Sequence, residues 1–278
     1  MQELQIIRSR AILPIAKPPI LNGALVIDGS TLIEVDEWNV IRKKYSGKVT
    51  DLGEQVILPG LINAHCHLDY TLMSGKLESP DSFTSWIQSM IKLKRAWGEE
   101  DFQKSWNTGF QNISKTGTTW VADTLSHPTR FDPNKPPSGS NLFPFYELIH
   151  LQDSPLDSSI LTHTAESIDL FLNKGGGRAG ISPHAPYTTT PRLWKSLWNH
   201  PILGNSPISM HLSESIEEFD LFRTGSGNMY DMFEATHHLP QWGKGSPIQL
   251  MADMGILKKG MIAVHVNCLS KGDAEHLA

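Results

Sequence analysis

Two histidines separated by one residue, His65 and His67, end an apolar run that begins at Val56. On a strand, residues i and i+2 point to the same face, so both imidazoles can converge on one metal ion while Cys66 points away. One His-x-His pair is weak evidence, because many strands carry two histidines in an ordinary polar network. Three further histidines strengthen it, each at the end of another apolar run: His184 in Ser182-Pro-His-Ala-Pro-Tyr-Thr188, His211 in His211-Leu-Ser-Glu214, and His265 in Val264-His-Val-Asn267. A catalytic zinc site commonly takes three protein nitrogens or oxygens plus a water, whose pKa falls to about 7. His65, His67 and His211 meet that count. Glu214, just past its strand, is placed to move protons without binding metal.

The elements that must position these groups are strands alternating with helices from about residue 57 onward. Val56–Leu58 and Leu61-Ile62 read as one buried strand interrupted by a Pro-Gly turn. Later apolar runs at 118–122, 142–149, 179–182, 208–212 and 261–266 read as further strands. Phe83, Trp86, Ile87, Met90 and Ile91 recur at helical spacing, as do Phe102, Trp106, Phe110 and Ile113, and both stripes are expected to face the core. Repeated βα units imply a parallel sheet, open or closed into a barrel, and barrel enzymes build their sites at the C-terminal ends of the strands. Residues 1–56 look β-rich, with strands at 24–27 and 32–35 around Asp28-Gly-Ser30. Lys174-Gly-Gly-Gly177 lacks the Gly-Lys-Ser/Thr ending of a phosphate loop and reads as a helix stop.

Composition narrows the partners. The 278-residue chain is 39% hydrophobic and 19% charged, with a formal net charge of −5 and no long basic block. That argues against nucleic acid or an anionic membrane as the main partner. Cys66 and Cys268 are the only cysteines and form no Cys-x-x-Cys pair, which points to a reducing compartment. No signal-peptide core and no apolar stretch of about 18 residues is present, so a cytoplasmic location is expected.

The run Leu58-Pro-Gly-Leu-Ile-Asn-Ala-His-Cys-His67, the 182–188 segment, the His-x-x-Glu at 211–214 and Val264-His265 resemble the amidohydrolase superfamily. They look closest to its cytosine-deaminase-like and chlorohydrolase-like branch, and they occur in the family's order over essentially the whole chain. The resemblance implies an α/β architecture, a TIM-like (β/α)8 metal-dependent hydrolase barrel joined to a small β-sandwich built from both chain ends. It assigns residues 1–56 to the sandwich and 57–278 to about six of the eight βα units. It also implies one divalent metal ion, zinc foremost and iron as the alternative, held by His65, His67 and His211. Glu214 would shuttle protons, His265 would orient the attacking water, and His184 would contact substrate. A homodimer is implied by resemblance alone.

The expected reaction is hydrolytic deamination of a small nitrogen heterocycle or nucleoside-like amine. Chlorohydrolase chemistry remains an alternative, because only the leaving group changes. A binuclear cyclic amide hydrolase fits less well, since Ala179-Gly-Ile-Ser182 offers no bridging lysine. The family's further metal-binding aspartate, after the eighth strand, has no counterpart. Asp273 and Glu275 fall in a helix-like stretch, so a fragment of a longer protein is expected, and a non-catalytic remnant stays open. His127 reads equally as a pocket-lining residue or as a turn residue before Pro128, His150 and His163 lack spaced partners, and His237, His238 and His276 read as solvated or helix-surface residues; Tyr70, Trp86 and Trp97 could shape the pocket, but core packing explains them more cheaply.

Overall fold

A computed structural model describes residues 4–77, 80–126, 139–152, 156, 158–234 and 243–278. His127, His237 and His238 lie outside the described residues. The chain divides into two compact units, Met1–Leu61 and Ile62–Ala278.

The first unit is a sheet of β1 (Gln5–Ile12), β2 (Ile20–Asp28), β3 (Thr31–Glu37), β4 (Lys48–Asp51) and β5 (Val56–Ile57). Its order is β3-β2-β1-β4, with β5 also pairing β1. The expected hairpin is β2–β3, turning through Gly29 at φ 58°, a conformation that costs glycine least. A helix, α1 (Trp38–Lys44), was not foreseen; it buries only Ile41, so its seven residues carry almost no apolar period. Ile41 packs with Ile6, Ala24 and Val26 in this unit's core.

The run from Val56 to Ile62 corrects the sequence reading. Val56–Ile57 is β5 of the first sheet, while β6 (Leu61–Cys66) starts a second one. Leu58, Leu61 and Ile62 are 48%, 52% and 72% exposed, so this is not one buried strand. Pro59-Gly60 breaks the pairing, since proline cannot donate to a ladder.

In the second unit β6, β7 (Thr118–Leu125), β8 (Asn141–Leu148) and β9 (Gly180–Pro183) lie side by side in chain order. The β7–β8 and β8–β9 pairs are parallel. A parallel bridge from Ile181 to Ile208 carries the order on to β10 (Ser209–Leu212), which pairs in parallel with β11 (Ile262–His265). Helices between the strands complete the βα pattern: α2 (Phe83–Ala96), α3 (Glu99–Lys115), α4 (Ser158–Asn173), α5 (Pro191–Asn199), α6 (Ile216–Thr224), α7 (Asn228–Glu234), α8 (Pro247–Asp253) and a last turn, α9 (Asp273–Leu277). This is the expected TIM-like arrangement, with six barrel strands among the described residues.

Local chemistry sets the helix ends. Ser82 accepts from the Ser85 N–H at 3.0 Å, and Ser85 Oγ accepts from the Ser82 N–H at 3.1 Å, a reciprocal N-terminal cap for α2. Asp101 accepts from Gly98 at the start of α3, whose first turn is acidic as the helix dipole favours. Phe102, Trp106 and Phe110 of α3 are buried as expected, each worth roughly 1.5–3 kcal/mol by area burial. The α2 stripe behaves differently: Thr84 and Met90 are its only buried residues, and Ile91 is 41% exposed. That face lines a cavity over the strand ends. Among the described residues no helix is long and apolar enough to cross a membrane.

Candidate active site

The C-terminal ends of β6, β8, β9, β10 and β11 deliver His65 and His67, Glu147, His184, His211 and His265 to one cavity of about 500 Å³. Strand parallelism does this: residues at equivalent ends of neighbouring parallel strands emerge on the same rim. His65 lies 4.8 Å from His211 and 5.1 Å from His67, ring centre to ring centre. The nitrogens that these three rings can offer all lie within 4.8 Å of one another.

Hydrogen bonding sets which nitrogens are available. His211 Nδ1 sits 2.9 Å from the His184 carbonyl, which can only accept, so Nδ1 carries the proton and Nε2 is bare. That bare nitrogen faces His67 Nε2 at 3.0 Å. His67 Nδ1 is buried without a partner in the structure. Burial pushes the imidazolium forms down, His65 and His184 to about 3 and His211 to about 4, with His67 also well below its ordinary value. The rings are therefore neutral near pH 7, as metal ligands must be. The donor set fits a divalent ion: neutral imidazoles, one tautomer fixed by a carbonyl, and two ring nitrogens facing across a gap that a cation would fill.

Glu214 follows β10 and approaches His265 Nε2 at 3.4 Å. Burial raises its pKa to about 7, which suits a group that must both take and give a proton near neutrality. Its placement depends on Glu218 in the first turn of α6. Glu218 Oε2 accepts from the Glu214 N–H at 2.7 Å and Oε1 from the Ser213 N–H at 3.0 Å. Asn267 Nδ2 donates to the Glu214 carbonyl at 2.8 Å, tying this loop to the one after β11. His184 Nδ1 meets Thr188 Oγ1 at 2.7 Å, leaving its Nε2 toward the cavity, 4.0 Å from Glu147 Oε1.

The structure thus brings together all six residues singled out from the sequence. Sequence reasoning missed Glu147, Glu218 and Asp123. Glu147 is a lone carboxylate in the apolar run Phe143-Pro-Phe-Tyr-Glu-Leu148, a signal that was available; with His184 and His211 it forms a second group of nearby donors. Asp123 holds the turn after His67, accepting from the Leu68 N–H at 2.8 Å and from Trp106 Nε1 at 2.6 Å. Cys66 Sγ points at Asp123, 3.7 Å away, and burial raises its thiol pKa. Tyr70 and Trp86, expected in the core, line the cavity, and Tyr70 stacks on His67 at 4.8 Å. His276 on α9 is exposed, as expected. Asp273 is buried but accepts from Ser246 and Ser270 at 2.6 Å each, a structural cap.

These features define the chain's class: it has the fold of amidohydrolase-superfamily barrels, as its motifs implied. No known family model matches it. It is similar to a 5-methylthioadenosine/S-adenosylhomocysteine deaminase of Thermococcus sibiricus, 28% identical over 93% of this chain and 60% of that protein. An aminodeoxyfutalosine deaminase of Deinococcus radiodurans is 26% identical over 75% of this chain and 49% of its own length. Among solved structures, an adenosine deaminase of Xanthomonas campestris with bound zinc has a TM-score of 0.73 at 18% identity, covering 98% of this chain and 60% of that one. The Helicobacter pylori aminofutalosine deaminase in complex with methylthio-coformycin has a TM-score of 0.74 at 19% identity, covering 98% and 66%. The chain therefore spans about 60% of the first curated relatives' length.

Proposed function

We propose that this chain carries the metal-binding and proton-transfer residues of a metal-dependent hydrolytic deaminase acting on a nucleoside-like amine. One observation carries the reading: three neutral imidazoles with nitrogens within 4.8 Å of one another share a cavity with a carboxyl group whose pKa is about 7. The names of the sequence relatives supply the substrate class, an adenosine-type base bearing an exocyclic amine.

His65, His67 and His211 would hold one divalent ion, zinc foremost and iron as the alternative, whose chemistry is to lower the pKa of water to about 7. Glu214 takes a proton from the attacking water and passes it to the ring nitrogen next to the reacting carbon. His265, beside Glu214, orients that water. The oxygen adds to the carbon to give a tetrahedral carbinolamine; its hydroxyl proton then passes to the exocyclic amine, the C–N bond breaks with its electron pair on nitrogen, and ammonia leaves as the C=O bond forms. His184 presents Nε2 to the substrate ring. The same attack displaces chloride if the ring carries one, and triazine hydrolase is a structural neighbour with a TM-score of 0.70 at 14% identity. The family's further aspartate has no counterpart among the described residues after β11.

Two measurements on the purified chain test this reading. Elemental mass spectrometry should find about one zinc or iron per chain, and adenosine-type amines should release ammonia. A metal-loaded protein that releases chloride from chlorinated rings but no ammonia would replace the deaminase with the chlorohydrolase. A protein that takes up no metal would overturn both.

A further inference from the structure

Adjacent glutamates in the first turn of α6 serve different partners. Glu218 accepts from the Ser213 and Glu214 amides. Glu217 crosses instead to α2, the helix that walls the cavity. Its Oε1 accepts from the Phe83 N–H at 2.5 Å and its Oε2 from the Thr84 N–H at 3.3 Å, and the Thr84 hydroxyl donates to that second oxygen. α2 does not need this contact in order to form. Ser82 and Ser85 already cap it reciprocally, and the Ser82 carbonyl accepts from the Trp86 N–H at 3.1 Å. The Phe83 and Thr84 amides are helix-end donors that water can satisfy, yet they meet a carboxylate 134 residues further along the chain. Of the α2 residues only Thr84 and Met90 are buried, so the helix buries one polar side chain, and it is the one that bonds Glu217.

The two halves of α2 are held differently. Met90 belongs to a buried cluster with Met73 and Phe102, against which Leu93 and Trp97 pack. Phe83 and Ile87 are half-buried and lean on a cluster that includes Phe222 of α6 and Phe233 of α7. Both also line the cavity, and Phe83 stacks on Trp86 with ring centres 5.5 Å apart. Apolar contact is non-directional, so it draws this end of α2 toward α6 without fixing its position. Three hydrogen bonds to one carboxylate do fix it. Glu217 lies three residues after Glu214, so the wall takes its position from the turn that carries the acid–base group.

We propose that Glu217 is a positioning residue that latches the N-terminal half of α2 onto the Glu214 turn, so that Phe83, Trp86 and Ile87 close over the substrate in register with the acid–base group. When the latch releases, the part of α2 before Met90 lifts from α6 about the anchor that Met90 makes with Met73 and Phe102, and the cavity opens. The latch is reversible, because release frees only two amides, one hydroxyl and one carboxylate, all of which water can satisfy. Such wall movements gate entry and release in many enzymes. The identity of the enclosed ring rests on the deaminase reading; the latch itself does not.

Fluorine NMR of the zinc-loaded chain labelled with 5-fluorotryptophan tests the latch without a ligand, the Trp86 signal being identified by its loss in Trp86→Phe. Glu217→Ala should bring up a second Trp86 signal from the open form, its ratio to the first raised roughly 10- to 100-fold, the scale of one or two hydrogen bonds to a charged group. Trp97, beside the Met90 anchor, should keep its signal. Glu217→Gln retains one acceptor oxygen and should restore part of the closed form. Thr84→Val removes a single bond and should give a smaller change of the same kind, which decides the matter if Glu217→Ala does not fold. With 5′-methylthioadenosine as substrate, KM should rise as the closed fraction falls, with kcat lowered less than about threefold, because the closed complex keeps every reacting group. An unaltered Trp86 signal in the variants overturns the latch. So does a change in Trp86 and Trp97 together, which marks general loosening of the fold, or a fall in kcat at constant KM. A wild-type chain that releases no ammonia removes the deaminase reading, and the fluorine signals still decide the latch.

Discussion

Glu218→Gln isolates the carboxyl group on which the position of Glu214 depends. Glu218 is fully buried, and although the backbone N–H groups of Glu214, Ser213 and Ser215 favour its anion, desolvation outweighs them and raises its pKa to about 8. A carboxyl with a raised folded-state pKa stabilises the fold fully below its unfolded pKa, and that stabilisation is lost as pH climbs toward the folded value. With an unfolded value near 4.5, the loss is about 1 kcal/mol at pH ~5 and about 4 kcal/mol at pH ~7.5, taking 1.36 kcal/mol per pKa unit. Glutamine does not titrate, so the stability difference between the two proteins should change by about 3 kcal/mol across that interval, with wild type losing ground at the higher pH. Other buried groups titrate in both proteins and cancel. Urea unfolding of chelator-treated protein at several pH values measures it, with chelation keeping metal uptake by the histidines out of the comparison. Parallel stability curves would show that Glu218 is ionised in the folded state, held there by the Ser213 and Glu214 amides, and would refute the claim that desolvation wins.

Three other substitutions probe the site and its support. Glu214→Gln should lower turnover by roughly 10²- to 10⁴-fold, the usual scale for a general acid–base group, while metal content measured by elemental analysis stays unchanged; wild-type kcat/KM should rise with pH through about 7 as Glu214 ionises. His211→Asn should cut metal per chain well below one, because it removes the Nε2 whose tautomer the His184 carbonyl fixes; a full complement of metal would exclude His211 as a ligand. Trp106→Phe keeps the ring packing but deprives buried Asp123 of its indole donor, at a cost of about 1–3 kcal/mol in chemical unfolding, and no measurable loss would mean that the Leu68 amide alone suffices.

The histidines and Glu214 were legible in the sequence because strand-end placement repeats: a polar, metal-capable residue follows an apolar run again and again, and each run independently limits where that residue can sit. The parallel sheet was legible for the same reason. Glu218 was not, because its work is done through backbone amides four and five residues earlier, and nothing in Ser-Ile-Glu-Glu-Phe distinguishes the buried carboxylate from its neighbour Glu217. The α2 stripe was read as core because helical periodicity reports that a face is covered and not by what. Thr84 and Met90 alone are buried there, and the rest of the face looks onto the cavity. Val56 to Ile62 failed for a related reason. Its apolar residues are split between two units, and local pattern carries no information about which sheet a strand joins.

The pairing of Glu214 with His265 shows how the fold holds a geometry that local sequence disfavours. Ser213, His265 and Val266 have φ values of 55°, 73° and 51°, in the left-handed region. For a β-branched residue such as Val266 this is strongly unfavourable, and each such residue costs on the order of 1–3 kcal/mol. Ser213 and Val266 open the two loops that leave β10 and β11, and His265 is the last residue of β11. Those loops are laced together: the Val266 N–H donates to Leu212 at 3.0 Å, the Asn267 N–H to Ser213 at 2.9 Å, and Ser213 Oγ to the Cys268 carbonyl. Two hydrogen bonds to Glu218 and one from Asn267 to Glu214 close the set. Six hydrogen bonds worth about 1 kcal/mol each can offset three strained residues, and a relaxed backbone would turn Glu214 and His265 out of register. The strained residues cluster where a carboxyl and an imidazole meet at 3.4 Å, the meeting on which the proposed proton transfer depends.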